Sequence, residues 1–235
     1  MQVLRAATWL HKWIALVVGL QILFWVGGGL VMTALPIERV RGEHHVRAVD
    51  PAPLPPGLRS LDAVRAATGL DPVKAELKPT PRGPAWILTP VDGAATVVSA
   101  ATGARFPAMT PDEARRLAAG SYTGDGAPIS ARLLAQAPAE TGKDGPLWRV
   151  DFDDAERTTF YLSPDSGEVV SRRSGMWRFY DFFWRLHIMN FGDGENFNHP
   201  LLIFTTVLAF TVVLSGFVLL WIRLARDWAR SRRRV

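Results

Sequence analysis

Two long apolar segments lie near the two ends of the sequence, and a polar section lies between them. Residues 201–222 contain no charged side chain, and as an α-helix they would extend roughly 33 Å, enough to cross the hydrocarbon core of a bilayer. Residues 13–35 form a second uncharged run of similar length. The pattern predicts two transmembrane helices, in segments 1–35 and 200–222.

The first apolar segment could instead be a cleaved signal peptide, with Arg5 and Lys12 as its basic start. Its apolar run is longer than the core of a typical signal peptide, and no cleavage site of the A-x-A kind follows it. We therefore expect this segment to remain as a membrane anchor.

Residues 176–199 lead into the second span. Aromatic and histidine side chains recur there at the helical spacing i, i+3, i+7 and i+10, namely Trp177, Tyr180, Trp184 and His187. Asp181 and Arg185 occupy a neighbouring face at i,i+4. This pattern is typical of an amphipathic helix at the boundary between water and lipid. A turn rich in glycine and asparagine then connects the helix to His199 and the span.

Residues 60–175 contain a loose internal repeat, with copies at about 60–106 and 108–174. Each copy begins with a hydroxyl side chain that can cap a helix, Ser60 or Thr110. Each then carries two strand candidates joined by a turn, at 85–89 and 95–99 in the first copy and at 147–152 and 158–162 in the second. The pattern predicts an α+β domain of two helix–hairpin repeats.

The net charge of +5 is concentrated beside the two apolar segments. Arg5 and Lys12 lie at the start of the first segment, and the tail 223–235 after the second is rich in arginine. Positive charge collects on the cytoplasmic side of membrane helices. We therefore expect both termini in the cytoplasm, the central domain in the periplasm, and no nucleic-acid partner.

The absence of cysteine excludes disulfides, cysteine-bound iron–sulfur clusters and the covalent attachment of a c-type haem. No Walker loop, dinucleotide fingerprint or zinc-protease motif occurs. The sequence identifies no catalytic residue, and an electron donor on the cytoplasmic side would have to be another protein or a quinol.

Residues 161–170, Y-L-S-P-D-S-G-E-V-V, resemble the strand and glycine turn of a PepSY domain. Residues 10–20, L-H-K-W-I-A-L-V-V-G-L, and the later pair Leu186-His187 resemble the histidine-containing segments of PepSY-associated transmembrane proteins. This resemblance implies a bacterial inner-membrane protein connected with iron uptake, since some members are similar to haem-bearing ferric-siderophore reductases. It implies haem b as the cofactor, a ferric siderophore as a substrate, and a homodimer or a membrane partner.

The resemblance makes His11, His187 and His199 the candidate haem ligands, because histidine beside a span is unfavourable unless it is used. His11 lies at the cytoplasmic end of its span, roughly 30 Å from the outer end where the other two lie. His11 therefore cannot share an iron with either of them in one chain. An outer haem would use His187 and His199, and an inner haem would need a second subunit. Interfacial or helix-capping histidines are the alternative.

Two other groups offer weaker signals. His44 and His45, in the predicted linker 36–59, supply two metal ligands without a third, which favours solvated side chains. The acidic turn at 151–156 lacks the spacing of a calcium loop and is typical of a solvated hairpin end. If the histidines bind no haem, the alternative function is a non-enzymatic binding or accessory membrane subunit.

Overall fold

The computed structural model describes residues 2–47, 53–91, 93–190, 192 and 198–232, without the side chains of residues 2–8, 10, 11, 219, 231 and 232. The chain divides into two compact units, one of Met1–Leu35 with Tyr180–Val235 and one of Pro36–Phe179. Most of the predicted turn before the second span and the last three residues of the basic tail lie outside the described residues.

The structure confirms the α+β class. The helices are α1 (Gln2–Ala34), α2 (Ile37–Val40), α3 (Leu61–Thr68), α4 (Pro111–Ser121), α5 (Gly175–His187) and α6 (Pro200–Arg232). The strands are β1 (Lys74–Lys78), β2 (Ala85–Thr89), β3 (Thr96–Ser99), β4 (Pro128–Leu134), β5 (Leu147–Phe152), β6 (Thr159–Leu162) and β7 (Val169–Arg173). Short 3₁₀ turns occupy Glu43–His45 and Ala139–Thr141.

Helices α1 and α6 carry the two apolar segments. Lys12–Ala34 and Pro200–Arg230 are long and apolar enough to cross a membrane, with mean hydropathies of 2.2 and 2.4. Apolar side chains along both helices are exposed, for example Val17 at 66% and Phe210 at 63%. Both predicted spans are helices of the required length. Helix α6 continues past the predicted end at residue 222 because the basic tail contains no proline or glycine that would stop it.

Helix α3 begins after Ser60, whose hydroxyl accepts a hydrogen bond from an amide of the first turn at 3.3 Å. It ends at Gly69, which adopts the left-handed conformation that favours glycine. An antiparallel sheet in the order β1-β2-β3 follows. Val64 of the helix packs with Leu88 and Val98 of the sheet, and all three side chains are fully buried.

Helix α4 begins in the same way. The Thr110 hydroxyl accepts a hydrogen bond from the Glu113 amide at 3.2 Å, and Pro111 occupies the first turn. An antiparallel sheet in the order β4-β5-β6-β7 follows, and every residue of β6 is buried. The larger core is formed by Met109, Ala114, Ala118, Tyr122, Trp148, Val150, Phe152, Phe160 and Leu162.

The predicted hairpins β2–β3 and β5–β6 are present, but each belongs to a larger sheet. The sequence patterns do not predict β1 or β4. Strand β1 alternates Lys74, Glu76 and Lys78 along a sheet edge, and β4 begins at Pro128 on an edge of the other sheet. Charges and proline are common on edge strands, where they hide the apolar pattern by which strands are recognised.

Part of the predicted linker 36–59 is structured. Helix α2 and the turn Glu43–His45 lie within it, and Val46 forms an isolated antiparallel bridge with Tyr122. His45 is only 8% exposed, so it is not the solvated linker side chain that the sequence predicts. A contact with residues far along the chain gives this segment its order.

Candidate functional site

The second half of helix α5 has the amphipathic character that the sequence predicts. The guanidinium Nε of Arg185 donates a hydrogen bond to the carboxylate of Asp181 at 2.8 Å, as their i,i+4 spacing requires. Phe182 on the same helix is 62% exposed. The helix ends at His187, so this side chain lies at the C-terminal end of the amphipathic helix.

The His187 side chain is held by a hydrogen bond between its Nδ1 atom and the backbone carbonyl oxygen of Trp25 at 3.1 Å. Because a carbonyl oxygen can only accept, Nδ1 is the donor, and in the neutral ring Nε2 then carries the free lone pair. Among the described residues, Nε2 has no hydrogen-bond partner. A ring fixed at Nδ1 and free at Nε2 is the arrangement that metal-binding histidines commonly adopt.

Glycine allows this close approach. A Cβ atom built on Gly28 would lie 3.5 Å from the carbonyl oxygen of Phe183 and 3.7 Å from both Cβ and Nδ1 of His187. A Cβ atom on Gly29 would lie 3.9 Å from Cε1 of the same ring. Helices α1 and α5 are therefore in contact at the glycine run, as small residues in membrane helices favour.

The His187 ring lines an open, mainly apolar cavity of about 400 Å³. The cavity is lined by Trp25, Trp184, His187, Ile188, Leu202 and Thr206. Nearby on helix α1, the side-chain nitrogens of Gln21 and Trp25 are buried without a hydrogen-bond partner among the described atoms. Buried donors of this kind are normally paired, so the surroundings of the cavity contain unused hydrogen-bonding capacity.

His199 has a different role in the structure. Its Nε2 atom lies 2.9 Å from the carbonyl oxygen of Ile188, and its Nδ1 atom accepts a hydrogen bond from the Leu202 amide at 3.3 Å. Both ring nitrogens are therefore engaged, and the side chain caps the first turn of helix α6. Ligation by His199 remains a prediction, and it would require one of these two bonds to be given up.

His11 lies in helix α1, and its side chain is outside the described part of the structure. His11 and Trp25 are fourteen positions apart along this helix, which corresponds to roughly 21 Å. Because Trp25 contacts His187, this separation along the helix backbone places His11 too far from His187 for the two to share an iron in the same chain. Whether His11 binds haem remains a prediction.

A charged cleft of about 430 Å³ lies on the larger sheet. Its charged and phenolic lining residues are Glu140, Arg149, Asp151, Arg157, Tyr161 and Arg178. The buried Tyr161 hydroxyl donates a hydrogen bond to Glu140 at 2.5 Å, and burial, followed by this carboxylate, raises the pKa of Tyr161. Three arginines face two carboxylates, so the cleft has an excess of positive charge and suits an anionic ligand.

Asp151 corrects the prediction that the turn at 151–156 is a solvated hairpin end. Its carboxylate accepts hydrogen bonds from Arg149 at 2.9 Å, Ser130 at 2.9 Å and Thr159 at 3.0 Å. Burial by itself would raise the pKa of Asp151, but these three hydrogen bonds outweigh it and lower the pKa. The carboxylate is thus built into the sheet rather than left in solvent.

Comparison with known proteins agrees with the resemblance found in the sequence. A family model described as the PepSY-associated TM region matches residues 8–235. The chain belongs to this PepSY-associated TM family. None of the curated proteins compared matches it significantly, and neither does any solved structure. Family membership and the two apolar helices together identify the chain as a membrane protein.

The haem that the resemblance implies for this PepSY-associated TM protein can be tested against the residues around His187. They fit one side of such a group, since they supply an imidazole held through Nδ1, apolar walls, and the indole N–H of Trp25, which has no hydrogen-bond partner among the described residues. The described lining of the cavity contains no second histidine. A second histidine to hold the group would have to come from His199 after rearrangement or from another molecule.

The structure contains one cluster of potential metal ligands that the sequence does not predict as a set. His44 and His45 lie beside the carboxylate of Glu156, and their ligand atoms all fall within 4.8 Å of one another. The two histidines are visible in the sequence as neighbours, but Glu156 is 111 residues away from His45. No local spacing rule connects positions so far apart, and only the fold brings the third side chain to the pair.

Proposed function

We propose that this membrane protein is a b-type haem electron-transfer component that supports the reduction of a ferric siderophore or another periplasmic acceptor. The observation that carries the proposal is the His187 ring, fixed through Nδ1 to the Trp25 carbonyl and lining an apolar cavity. A bound haem would supply one-electron chemistry through its iron. The protein supplies the nitrogen donor, its orientation and the apolar walls.

Each residue of the site has its own part in this proposal. His187 would hold the iron through Nε2, and the carbonyl of Trp25 favours the tautomer of the ring that leaves Nε2 free. Gly28 lets the backbone of α1 come close enough for that hydrogen bond to form. The indole N–H of Trp25, which has no hydrogen-bond partner in the described part of the chain, is available to a polar substituent of the cofactor. His199 and, in a homodimer, His11 are the proposed additional ligands.

The location follows from the charge distribution. In an inner bacterial membrane, the arginines after the second span would hold both termini in the cytoplasm, so that His187 lies towards the periplasm. The central domain, with its two proposed PepSY-like repeats, would then face the acceptor. Its cleft with excess positive charge would favour an anionic ferric chelate.

A visible spectrum of the intact protein tests the proposal. The protein is expressed with abundant haem, purified in detergent, and compared with the His187→Ala variant. We expect a Soret band in the parent protein and at least a fivefold smaller band per chain in the variant. His44→Ala, which removes an exposed histidine of the other unit, should keep the band. A folded parent protein without a Soret band, or a variant with an undiminished one, contradicts the proposal.

The second candidate is a non-enzymatic binding or accessory membrane subunit, in which the central domain contacts a peptide or a membrane partner. The charged cleft on the larger sheet favours it, because a cleft of about 430 Å³ with three arginines can bind an acidic segment without a redox group. A colourless, fully folded preparation supports this second function and opposes the first.

A further inference from the structure

Three potential metal ligands converge in the unit Pro36–Phe179. The Nε2 atom of His45 lies 3.0 Å from Oε2 of Glu156, and the Nε2 atom of His44 lies 3.7 Å from Oε1 of the same carboxylate. The two imidazole rings lie side by side, with centroids 3.9 Å apart. Each ring thus presents its Nε2 atom to a different oxygen of one carboxylate.

The backbone fixes this arrangement on both sides. The Thr123 hydroxyl donates a hydrogen bond to the carbonyl of His44 at 2.7 Å, and the Thr123 amide donates one to the carbonyl of His45 at 3.1 Å. On the other side, the Gly175 amide donates to the carbonyl of Glu156 at 2.6 Å. The three side chains are therefore held together by their own segments before any ligand arrives.

The buried ring of His45 packs against an aromatic side chain. It stacks on Tyr122 with ring centroids 5.6 Å apart. The Tyr122 hydroxyl in turn donates a hydrogen bond to Asp154 at 2.5 Å. An aromatic support of this kind limits the rotation of the His45 ring.

The distances suit a tetrahedral metal ion. Metal–ligand bonds of about 2.1 Å at tetrahedral angles place neighbouring donor atoms about 3.4 Å apart. Each Nε2 atom lies near that distance from one of the two Glu156 oxygens, His45 at 3.0 Å from Oε2 and His44 at 3.7 Å from Oε1. Two imidazoles and one carboxylate suit zinc and similar transition metals, whereas calcium and magnesium prefer a shell of oxygen ligands.

We propose that His44, His45 and Glu156 bind one divalent transition-metal ion of the zinc type, through two Nε2 atoms and one carboxylate. The side chains of His44 and Glu156 are 37% and 36% exposed, so an ion can enter from solvent and a water molecule can complete the coordination. The ion joins the segment after helix α1 to the β5–β6 turn.

A simple ion pair is the competing explanation. The 3.0 Å contact of His45 with Glu156 is a hydrogen bond, but the 3.7 Å contact of His44 is too long to be one. Hydrogen bonding therefore accounts for the contact of His45 with Glu156, and ring packing on His45 positions His44, but neither requires the Nε2 atom of His44 to face the same carboxylate. A shared metal ion accounts for the positions of both rings. Metal binding therefore distinguishes this proposal from a simple ion pair.

The intact protein, purified in detergent without a polyhistidine tag and stripped with a chelator, is titrated with Co²⁺ and with Zn²⁺. We expect one ion per chain, with visible absorption bands of low-symmetry Co²⁺ that Zn²⁺ abolishes by displacement. His45→Ala and Glu156→Gln should weaken Zn²⁺ binding at least tenfold. The ring of His44 is more exposed than that of His45. If His45→Ala does not fold, His44→Gln tests the same site. Glu168→Gln, an equivalent change in a carboxylate that pairs with Lys78, should bind as the parent does.

The result distinguishes this site from the proposed haem site. His187→Ala should retain the metal ion, and Glu156→Gln should retain any Soret band. Absence of stoichiometric Co²⁺ and Zn²⁺ binding by the folded parent protein overturns the proposal. Equal binding by the parent, His44→Gln and Glu156→Gln also overturns it, since the ion would then lie elsewhere.

Discussion

The Nδ1 atom of His187 lies 3.1 Å from the carbonyl oxygen of Trp25, and this hydrogen bond decides which ring nitrogen is free. It joins two residues that are 162 positions apart, and it requires a close approach of two helices. The nitrogen that remains free is the one a metal would use. The glycines of helix α1 therefore matter to the proposed chemistry as well as to packing.

Enlarging Gly28 should disturb this contact. A methyl group fits at 3.5 Å from the Phe183 carbonyl, so Gly28→Ala should be tolerated, whereas Gly28→Leu would press on the His187 ring. We expect Gly28→Leu to destabilise the helix pair by about 2 kcal/mol. It should also lower haem content severalfold where the parent protein carries haem. Thermal unfolding in detergent measures the change in stability, and absorbance per chain measures the change in haem content.

Gly27→Leu is the matched control, because a Cβ atom on Gly27 meets nothing within 4 Å. The same side chain is thus added to the same helix, one residue away, towards open space. Equal effects of the two leucines would show that helix propensity or lipid contact, and not the approach to His187, limits position 28.

The elements that the sequence predicts well are those with local signals. Ser60 and Gly69 bound helix α3, and Thr110 followed by Pro111 begins α4, because caps and glycine stops act within a few residues. The apolar segments likewise determine α1 and α6 without help from the rest of the fold. Helix α5 follows from its amphipathic spacing.

The features that the sequence missed depend on distant partners. Edge strands β1 and β4 gain their order from the strands beside them. Strand β1 alternates charged residues, and β4 begins with a proline. The third member of the His44–His45 cluster, Glu156, comes from another hairpin. The sequence position of His187 makes it a candidate haem ligand. The sequence does not predict that both ring nitrogens of His199 form hydrogen bonds.

Cysteine labelling should reveal the orientation in the membrane. The chain has no cysteine, so a single introduced thiol reports one position without background. Because arginines follow the second span, we expect Ala101→Cys to react with a membrane-impermeant maleimide in intact spheroplasts. Ala229→Cys, at an exposed position of α6, should react only after lysis. The opposite pattern would place the central domain in the cytoplasm and remove the basis for a periplasmic acceptor.

Asp151 should make stability depend on pH. Its hydrogen bonds lower its pKa below the ordinary value of 3.8, so the folded protein favours the ionised form. The resulting stability is present above the unfolded-state pKa and is lost as the pH falls through the lower, folded-state pKa. Asp151→Asn should therefore lower the free energy of unfolding by about 2 kcal/mol at neutral pH. The difference from the parent protein should shrink in acid.

Urea denaturation of the protein in detergent, at about pH 7 and below about pH 4, measures this difference. Asp144→Asn serves as the control, because Asp144 is exposed and the same charge is removed. It should change the free energy of unfolding by less than about 0.5 kcal/mol at either pH. If Asp151→Asn lowered the free energy of unfolding as much in acid as at neutral pH, the effect would come from packing and not from the charge of Asp151.

Arg82 should be the most important ion-pair residue of the central domain. Its side chain is only 4% exposed, and its Nε donates to Glu113 at 2.9 Å while an Nη donates to the Pro107 carbonyl at 2.8 Å. The other Nη reaches the carbonyl of Asp165 at 3.3 Å. One guanidinium thus joins the β1–β2 turn to helix α4 and to the β6–β7 turn.

Removing a partner from a buried pair leaves a charge without compensation, so Arg82→Ala should destabilise the domain by about 3–5 kcal/mol. Arg82→Lys should recover little of this, because an ammonium cannot reproduce several fixed N–H directions. Arg115→Ala breaks an exposed pair with Asp112 on the same helix as Glu113 and should cost less than about 1 kcal/mol. Urea denaturation of the three variants in detergent measures these values. If Arg82→Ala and Arg115→Ala were alike, the buried guanidinium would contribute no more to stability than an exposed ion pair does.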